Sequence, residues 1–175
     1  QSDKPLFYDF SSKLVFHPLQ VFGNPIQYLY QYRKLIISIL NQINPDIISV
    51  CDDGLKGMLM PIIIGKPCPI IYERHASKNI FKKTDHLNIA QKLKFRLMET
   101  IMIFGAKKFD VFVVLTNYNK KEWRLKNLKV IPNPLSFYPA IYETSTLQNK
   151  KVIAVGNHGY QKGYDRLLRS WQLVV

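Results

Sequence analysis

The sequence predicts an α/β protein built on a Rossmann-like open parallel sheet flanked by helices. Short apolar segments alternate along the chain with longer segments of helical periodicity, which is the pattern of βαβ units. The strand-length segments are almost continuously apolar, as expected of parallel strands covered on both faces. The 175 residues are 47% hydrophobic, so the chain can bury a core.

Start and stop signals define the elements in the first half of the chain. Asn24 is a favourable N-cap residue, and Pro25 suits the first position of a helix whose apolar stripe continues until Pro45 ends it. Gly65 ends a second, buried helix in the same way. In order, the predicted elements are a helix over 25–44, a strand over 46–51, a helix over 54–64 and a strand over 69–73.

The second half continues the alternation. A long helix is predicted over 88–108, and it is followed by an apolar strand over 110–116. Asn119 and Glu122 stand three residues apart, like the two members of a capping box, and predict the start of a short helix. A further strand is predicted over 128–131.

Turn-forming residues between 133 and 149 interrupt the periodicity and predict a domain boundary. We therefore divide the chain into a first domain, 1–140, and a linker with the start of a second domain, 141–175. One strand and one helix cannot bury a core of their own, so we expect these final residues to pack on the first domain, to pack on another copy of the chain, or to stay mobile. The second domain opens with a predicted strand over 151–155, a glycine-containing loop over 156–163 and a helix from Tyr164.

The chain is strongly basic, with 25 lysines and arginines against 12 acidic residues and a net charge of +13. Such a surface attracts phosphates, anionic lipid headgroups or nucleic acid. No nucleic-acid-binding motif or base-stacking platform accompanies the charge, so we expect no nucleic acid partner. Cys51 and Cys68 lie in apolar stretches and are interpreted as buried thiols of a reduced, cytoplasmic protein. No apolar run reaches about 18 residues, which predicts a soluble or peripheral protein.

His75 follows the predicted strand over 69–73, at the end of a parallel sheet where ligands of open α/β folds collect. An imidazole at this position can donate to a sugar hydroxyl or stabilise a developing charge. A loop histidine bonded to nearby backbone is the alternative interpretation. The four histidines share no metal-ligand spacing, so we expect no metal.

The loop over 156–163 precedes a predicted helix, where free backbone N–H groups and the helix dipole favour a phosphate. Lys162 would add a positive charge to this loop. The glycine spacing matches neither the dinucleotide fingerprint nor the P-loop, so a solvated lysine beside turn glycines remains the alternative.

Basic and apolar residues share the region of the predicted long helix, which favours contact with an anionic membrane surface. The alternative is an ordinary helix with one core face and one solvated face. The cations are Lys82, Lys83, Lys92, Lys94, Arg96, Lys107 and Lys108, and the apolar residues are Leu93, Phe95, Leu97, Met98, Ile101, Met102 and Phe104.

Three groups of segments, in this order, resemble bacterial glycosyltransferases of the GT-B fold, the group 1 or GT4 type that builds capsules, lipopolysaccharide and other glycans. The last group resembles the opening of the family's donor domain and is the most specific. The segments are PDIISV at 45–50 with PIIYERH at 69–75, VVLT at 113–116 with VIPNP at 130–134, and KVIAVGNHGYQKGYDRLL at 151–168.

This resemblance implies two Rossmann-like domains facing across a cleft, with the acceptor mainly in the first and the nucleotide-sugar mainly in the second. By comparison with the family's pattern, we expect the first domain to lack its opening strand here and the second domain to be represented only by its first strand and helix. It implies transfer with retention of anomeric configuration, without a metal or another cofactor. Asn157 stands where the family has a phosphate-binding arginine, which leaves the diphosphate to Lys162 and backbone donors. The implied site residues are His75 as the catalytic residue, Glu73, Arg74 and Asn133 in the substrate cleft, and Gly156, Asn157, Lys162 and Gly163 around the donor diphosphate.

The implied function is transfer of a sugar from a UDP- or GDP-linked donor to a lipid-linked or glycan acceptor in cell-surface polysaccharide synthesis. We expect a cytoplasmic protein, peripheral on the inner face of the cell membrane, and we expect the 175 residues alone to be inactive. The alternatives are a sugar-nucleotide epimerase of the same fold and a basic nucleic-acid-binding module. A downstream E-x7-E segment in the gene would favour the transferase.

Overall fold

In a computed structural model of the protein, the structure describes residues 10–78, 88–135, 146, 148, 151–159 and 162–174. The chain separates into two units, Gln1–Pro132 and Asn133–Val175, which are treated one at a time. The predicted division into 1–140 and 141–175 stays a prediction, because residues 136–145 lie outside the described ranges.

Four short parallel strands form a sheet in the order β1-β2-β3-β4, which confirms the predicted α/β class with a parallel sheet. Each strand overlaps the strand predicted from the sequence. The second strand continues through Arg74, one residue beyond its predicted end. The strands are β1 (Ile48–Val50), β2 (Ile70–Arg74), β3 (Val111–Val114) and β4 (Leu128–Val130).

The helices alternate with the strands as predicted, except that one predicted helix is divided into two. Residues 54–64 form two short helices rather than one, because Pro61 has no N–H to continue the hydrogen-bond ladder and Leu59 leaves helical geometry just before it. The helices are α1 (Pro25–Ile43), α2 (Leu55–Met58), α3 (Met60–Ile64), α4 (Ile89–Ala106), α5 (Asn117–Glu122) and α6 (Tyr164–Trp171).

Capping residues account for where these helices begin. The side chain of Asn24 accepts from the backbone N–H groups of Ile26 and Gln27, which confirms the predicted start of α1. The predicted capping role of Asn119 is wrong. Thr116 caps α5, accepting from the backbone N–H of Asn119 at 3.0 Å, so Asn119 is the third helical residue.

One face of the sheet packs against the hydrophobic core. Successive residues point to opposite faces of a strand, and the register aligns Val50, Tyr72, Phe112 and Leu128 across the four strands. The rings of Tyr72 and Phe112 stack with centroids 5.0 Å apart, and Phe112 also packs on Trp123. The core therefore sits between this face and the helices. The other face carries the side chains of Ser49, Ile71, Glu73, Val113 and Lys129.

The same alternation corrects the prediction for Cys51. Because Cys51 follows the buried Val50 at the end of β1, its side chain turns to the other face and is exposed. Cys68 is half-buried, and both thiols are free.

In the second unit, residues 151–155 do not form the predicted strand. A strand needs a neighbour for its backbone hydrogen bonds, and no pairing with this segment occurs among the described residues. Its apolar side chains are exposed, with Val155 at 91%. The predicted helix start at Tyr164 is confirmed by α6.

Candidate functional site

The polar residues that the sequence singled out in the first unit meet at one edge of the sheet. β1 and β2 are parallel neighbours, so the loops that follow them, residues 51–54 and 75–78, lie side by side at the carboxyl edge. This is the edge at which open α/β sheets bind their ligands.

Arg74 lies at the end of β2 on the buried face and is only 2% exposed. Its Nη1 atom donates to the backbone carbonyl of Asp53 at 2.7 Å, and Nε donates to the carbonyl of Ala76 at 3.0 Å. The guanidinium therefore links the loop after β1 to the loop after β2. A buried cation with these partners holds the edge of the sheet in shape.

Tyr72 adds a second link at the same place. Its hydroxyl donates to the backbone carbonyl of Asp52 at 2.6 Å. Burial raises the pKa of Tyr72 to about 12, against a smaller lowering by Arg74, so the phenol stays protonated and keeps its hydrogen bond.

Glu73 and His75 lie on the opposite side of the strand from Arg74, because side chains alternate along β2. The Nε2 atom of His75 is 3.6 Å from the Oε2 atom of Glu73. The other carboxylate oxygen of Glu73 accepts from the Ser49 hydroxyl at 2.6 Å. The structure thus brings Glu73 and His75 together, and it adds Ser49 from the neighbouring strand.

This cluster is suited to positioning rather than nucleophilic attack. Ser49 donates to the carboxylate and not to the imidazole, so no base is placed to activate its hydroxyl. Both Glu73 and His75 keep about two-fifths of their side-chain surface accessible, at 43% and 37%. A ligand at the carboxyl edge can therefore reach the imidazole.

Cys51 lies next to this cluster without supplying a reactive thiolate. Loss of water around its sulfur raises the pKa of the thiol even though the residue is exposed overall, and the carboxylates of Glu73, Asp53 and Asp52 raise it further. A protonated thiol is a weak nucleophile.

The segment after His75 is held by contacts that the sequence did not indicate. The Glu122 carboxylate accepts from the Ser77 hydroxyl at 2.6 Å and from the backbone N–H of Lys78 at 2.7 Å. The Lys78 ammonium pairs with Glu99 and lies over the Trp123 ring. These partners are far apart in the chain, so no local spacing could have indicated them.

In the second unit, Gly156 lies close to Lys162 and Tyr164. The Tyr164 hydroxyl donates to the Gly156 carbonyl at 3.3 Å, and a Cβ atom on Gly156 would lie 3.4 Å from Cγ of Lys162. Gly163 has a φ of 66° and precedes α6, a left-handed conformation that favours glycine. The structure therefore brings Gly156, Lys162 and Gly163 together ahead of a helix N-terminus.

The two remaining predicted residues are exposed. Asn157 lies in the same loop, with its Oδ1 atom 3.4 Å from where a Cβ on Gly159 would be. Asn133 begins the second unit, after Pro132.

Within the described ranges, no group of three or more histidine, cysteine or acidic residues is placed to hold a metal ion. In the same part of the chain, no helix combines the length and the apolar character needed to cross a membrane.

The fold and the site define an α/β protein with a polar cluster at the carboxyl edge of a parallel sheet. Comparisons with models of known protein families, with curated proteins and with solved structures gave no match. The resemblance to glycosyltransferases therefore depends on the sequence segments at 45–75, 113–134 and 151–168.

Proposed function

We propose that the chain is the acceptor-side domain and the donor-domain opening of a retaining GT-B glycosyltransferase. The observation that carries this proposal is the Glu73–His75 pair, 3.6 Å apart at the carboxyl edge of a parallel sheet. The edge is where the fold class binds ligands, and the imidazole is accessible there. One of the segments that resemble the family ends at His75, and another, 151–168, contains the loop before α6.

The imidazole of His75 orients the sugar that is transferred. Glu73 lies beside the Nε2 atom of the ring, and the Nδ1 atom is left to form a hydrogen bond with a sugar hydroxyl near the reacting carbon. The bond from the anomeric carbon to the leaving diphosphate breaks, and the bond to the acceptor oxygen forms on the same face. The acceptor proton passes to the leaving phosphate, so His75 has no need to act as a base.

The loop over 156–163 holds the donor diphosphate. Gly156 and Gly163 let the backbone approach an anion, and the unsatisfied N–H groups at the start of α6 point toward it. The acidic Asp165 in the first turn of α6 opposes a second negative charge, so the ammonium of Lys162 supplies the balancing charge. The donor is a UDP- or GDP-sugar, and the acceptor is lipid-linked or a glycan of the cell surface.

α4 presents the surface that brings the enzyme to the inner face of the cell membrane. Ile89, Leu93 and Leu97 stand four residues apart on one helical face and are exposed, Leu93 at 68% and Leu97 at 60%. The cations Lys92 and Arg96 are exposed on the same helix. An exposed apolar stripe with flanking basic residues binds anionic bilayers. Lys82 and Lys83 of the predicted basic region lie outside the described residues.

The test is sugar transfer by the full-length enzyme. UDP- and GDP-hexoses labelled in the sugar are incubated with the enzyme and with a lipid extract from the source cells, and the anomeric configuration of the product is determined by NMR. We expect transfer from one donor with retention. No transfer or donor hydrolysis with any nucleotide-sugar, or a product of inverted configuration, contradicts the proposal.

A further inference from the structure

We propose that a basic pocket between the end of α4 and the segment before β4 binds a ligand that carries a phosphate group. The pocket has a volume of about 430 Å³, which lies within the range of about 300–1,000 Å³ typical of small-molecule sites. Its lining residues are Lys107, Arg124, Leu125, Lys126 and Asn127, so three of the five carry a positive charge.

The pocket lies at the opposite edge of the sheet from the candidate site. Lys107 follows α4 just before β3 begins, and residues 124–127 lead into β4. Because all the strands of the described sheet are parallel, these residues mark the amino edge, whereas Glu73 and His75 mark the carboxyl edge. The pocket is therefore independent of the proposed sugar transfer.

Hydrogen bonds from one side chain tie the two walls of the pocket together. The Asn127 amide nitrogen donates to the carbonyl of Ala106 at 3.1 Å and to that of Phe109 at 2.7 Å. The backbone carbonyl of Asn127 accepts from the backbone N–H of Phe112 at 2.9 Å. The end of α4 and the segment before β4 are thus held at a fixed separation, which preorganises the charges between them.

Packing forces the cations of this segment outward. Trp123 is buried against Phe112, and Leu125 packs on the core. The alternate residues Arg124 and Lys126 are exposed as a result. Across the described ranges, no carboxylate lies within ion-pair distance of Lys107, Arg124 or Lys126. Their charge is therefore available to an anion.

The local electrostatics favour a phosphate. The C-terminus of α4 carries roughly half a negative charge, which three full positive charges outweigh, and Asn127 already occupies the Ala106 carbonyl. The planar guanidinium of Arg124 can bind two phosphate oxygens at once, and Leu125 provides an apolar wall. The phosphate can belong to a soluble organic phosphate or to a phospholipid headgroup.

NMR titration of the protein reports on the pocket locally. In one arm, sodium pyrophosphate is added, and in the other, bicelles of phosphatidylglycerol are compared with bicelles of phosphatidylcholine. We expect the backbone amide signals of residue 107 and residues 124–127 to shift. Shifts with pyrophosphate identify a soluble phosphate as sufficient, whereas shifts only with phosphatidylglycerol assign the phosphate to a lipid headgroup.

Paired variants test the charges. Arg124→Gln with Lys126→Gln removes two pocket cations. We expect this double variant to bind the ligand that shifts the wild-type signals, pyrophosphate or phosphatidylglycerol bicelles, about tenfold or more weakly than wild type does. Lys13→Gln with Lys34→Gln removes the same charge from exposed sites in other parts of the first unit and should leave binding unchanged. Absence of shifts in both arms of the wild-type titration, or equal weakening by both double variants, overturns the proposal.

Discussion

The Nη1 atom of Arg74 donates to the backbone carbonyl of Asp53 at 2.7 Å and lies 3.2 Å from an oxygen of the Asp53 carboxylate. The guanidinium is buried, whereas the carboxylate keeps 42% of its side-chain surface accessible. The two groups thus contribute unequally. Most of the stabilisation should come from the buried hydrogen bonds to backbone carbonyls, and little from the charge of Asp53.

We predict that Arg74→Met lowers the free energy of unfolding by about 2–4 kcal/mol, because three carbonyl oxygens lose a buried donor. Asp53→Asn should cost less than about 1 kcal/mol, since the Asp53 carbonyl still accepts from Arg74. Urea denaturation followed by circular dichroism measures both. If the two substitutions lower the free energy of unfolding equally, the ion pair with Asp53, and not the hydrogen bonds to backbone carbonyls, holds the carboxyl edge of the sheet.

Tyr72 should make stability depend on alkaline pH. Its pKa is about 12 in the folded protein against 10.0 for an ordinary tyrosine, with burial as the main cause. A pKa raised on folding means that the folded state holds the proton more tightly, so the stabilisation is complete below pH 10 and is lost as pH rises through 12. We expect this loss to reach about 3 kcal/mol.

Tyr72→Phe is the matched control for that pH dependence. Below pH 10 the variant should be about 1 kcal/mol less stable than wild type, because the Asp52 carbonyl loses its donor. Between pH 10 and 12 the difference should shrink and then reverse. Tyr32, whose pKa burial also raises, titrates in both proteins and cancels in the comparison. If the stability difference between wild type and Tyr72→Phe stays constant from pH 10 to 12, the pH dependence does not come from Tyr72.

The sequence predicted the elements that depend on local signals. Asn24 caps α1 as predicted because its partner is only three residues away, and the apolar run that forms β2 was recognisable from composition alone. The failures have non-local causes. The predicted strand over 69–73 stops before Arg74, yet Arg74 is the last residue of β2. Its side chain is buried there because carbonyls of Asp53 and Ala76 satisfy its donors.

Pairing explains what could and could not be predicted about the candidate site. The proximity of Glu73 to His75 follows from their positions two residues apart at the end of one strand. The hydrogen bond from Ser49 to Glu73 required the register of β1 against β2, which pairs Ser49 with Ile71. The contacts of Glu122 required the tertiary fold itself. Local sequence patterns carry no information about the Ser49–Glu73 hydrogen bond or about the contacts of Glu122.

The exposed stripe on α4 should bind anionic membranes. We predict that Leu93→Ser with Leu97→Ser weakens binding to phosphatidylglycerol vesicles about tenfold, because apolar side chains no longer enter the interface. Ile26→Ser with Leu29→Ser, which alters exposed apolar residues of α1, is the control and should have little effect. Vesicle flotation measures the binding.

Salt separates the electrostatic part of this interaction. Each lysine or arginine near an anionic surface contributes about 1 kcal/mol, so Lys92→Gln with Arg96→Gln should weaken binding and reduce its decrease with rising salt. Equal binding of the wild-type protein to neutral and anionic vesicles would contradict an electrostatic contribution from Lys92 and Arg96.

His75→Ala should reduce kcat of the full-length enzyme about 100-fold, because an oriented hydrogen-bonding side chain near the reacting carbon is lost. Glu73→Gln should have a smaller effect, because Glu73 lies 3.6 Å from the ring and the substitution leaves the imidazole itself in place. The exposed position of His75 means that the free energy of unfolding should change by less than about 0.5 kcal/mol. Radiolabelled sugar transfer and urea denaturation measure the two quantities. Unchanged turnover would remove His75 from the site.

The ammonium of Lys162 should act mainly in the transition state. In the proposed transfer, negative charge grows on the leaving diphosphate as the bond to the sugar breaks, so a lysine in the loop before α6 would stabilise that charge more than it stabilises the bound donor. We predict that Lys162→Ala lowers kcat about 100-fold and raises the donor Kd by no more than that factor. Arg169→Ala, which removes a cation from the last turn of the same helix, is the matched control and should leave both unchanged. Single-turnover kinetics and equilibrium binding of the nucleotide-sugar separate the two quantities. A change confined to KM would mean that Lys162 binds the donor uniformly, because a charge that helps the ground state and the transition state equally leaves kcat unaltered.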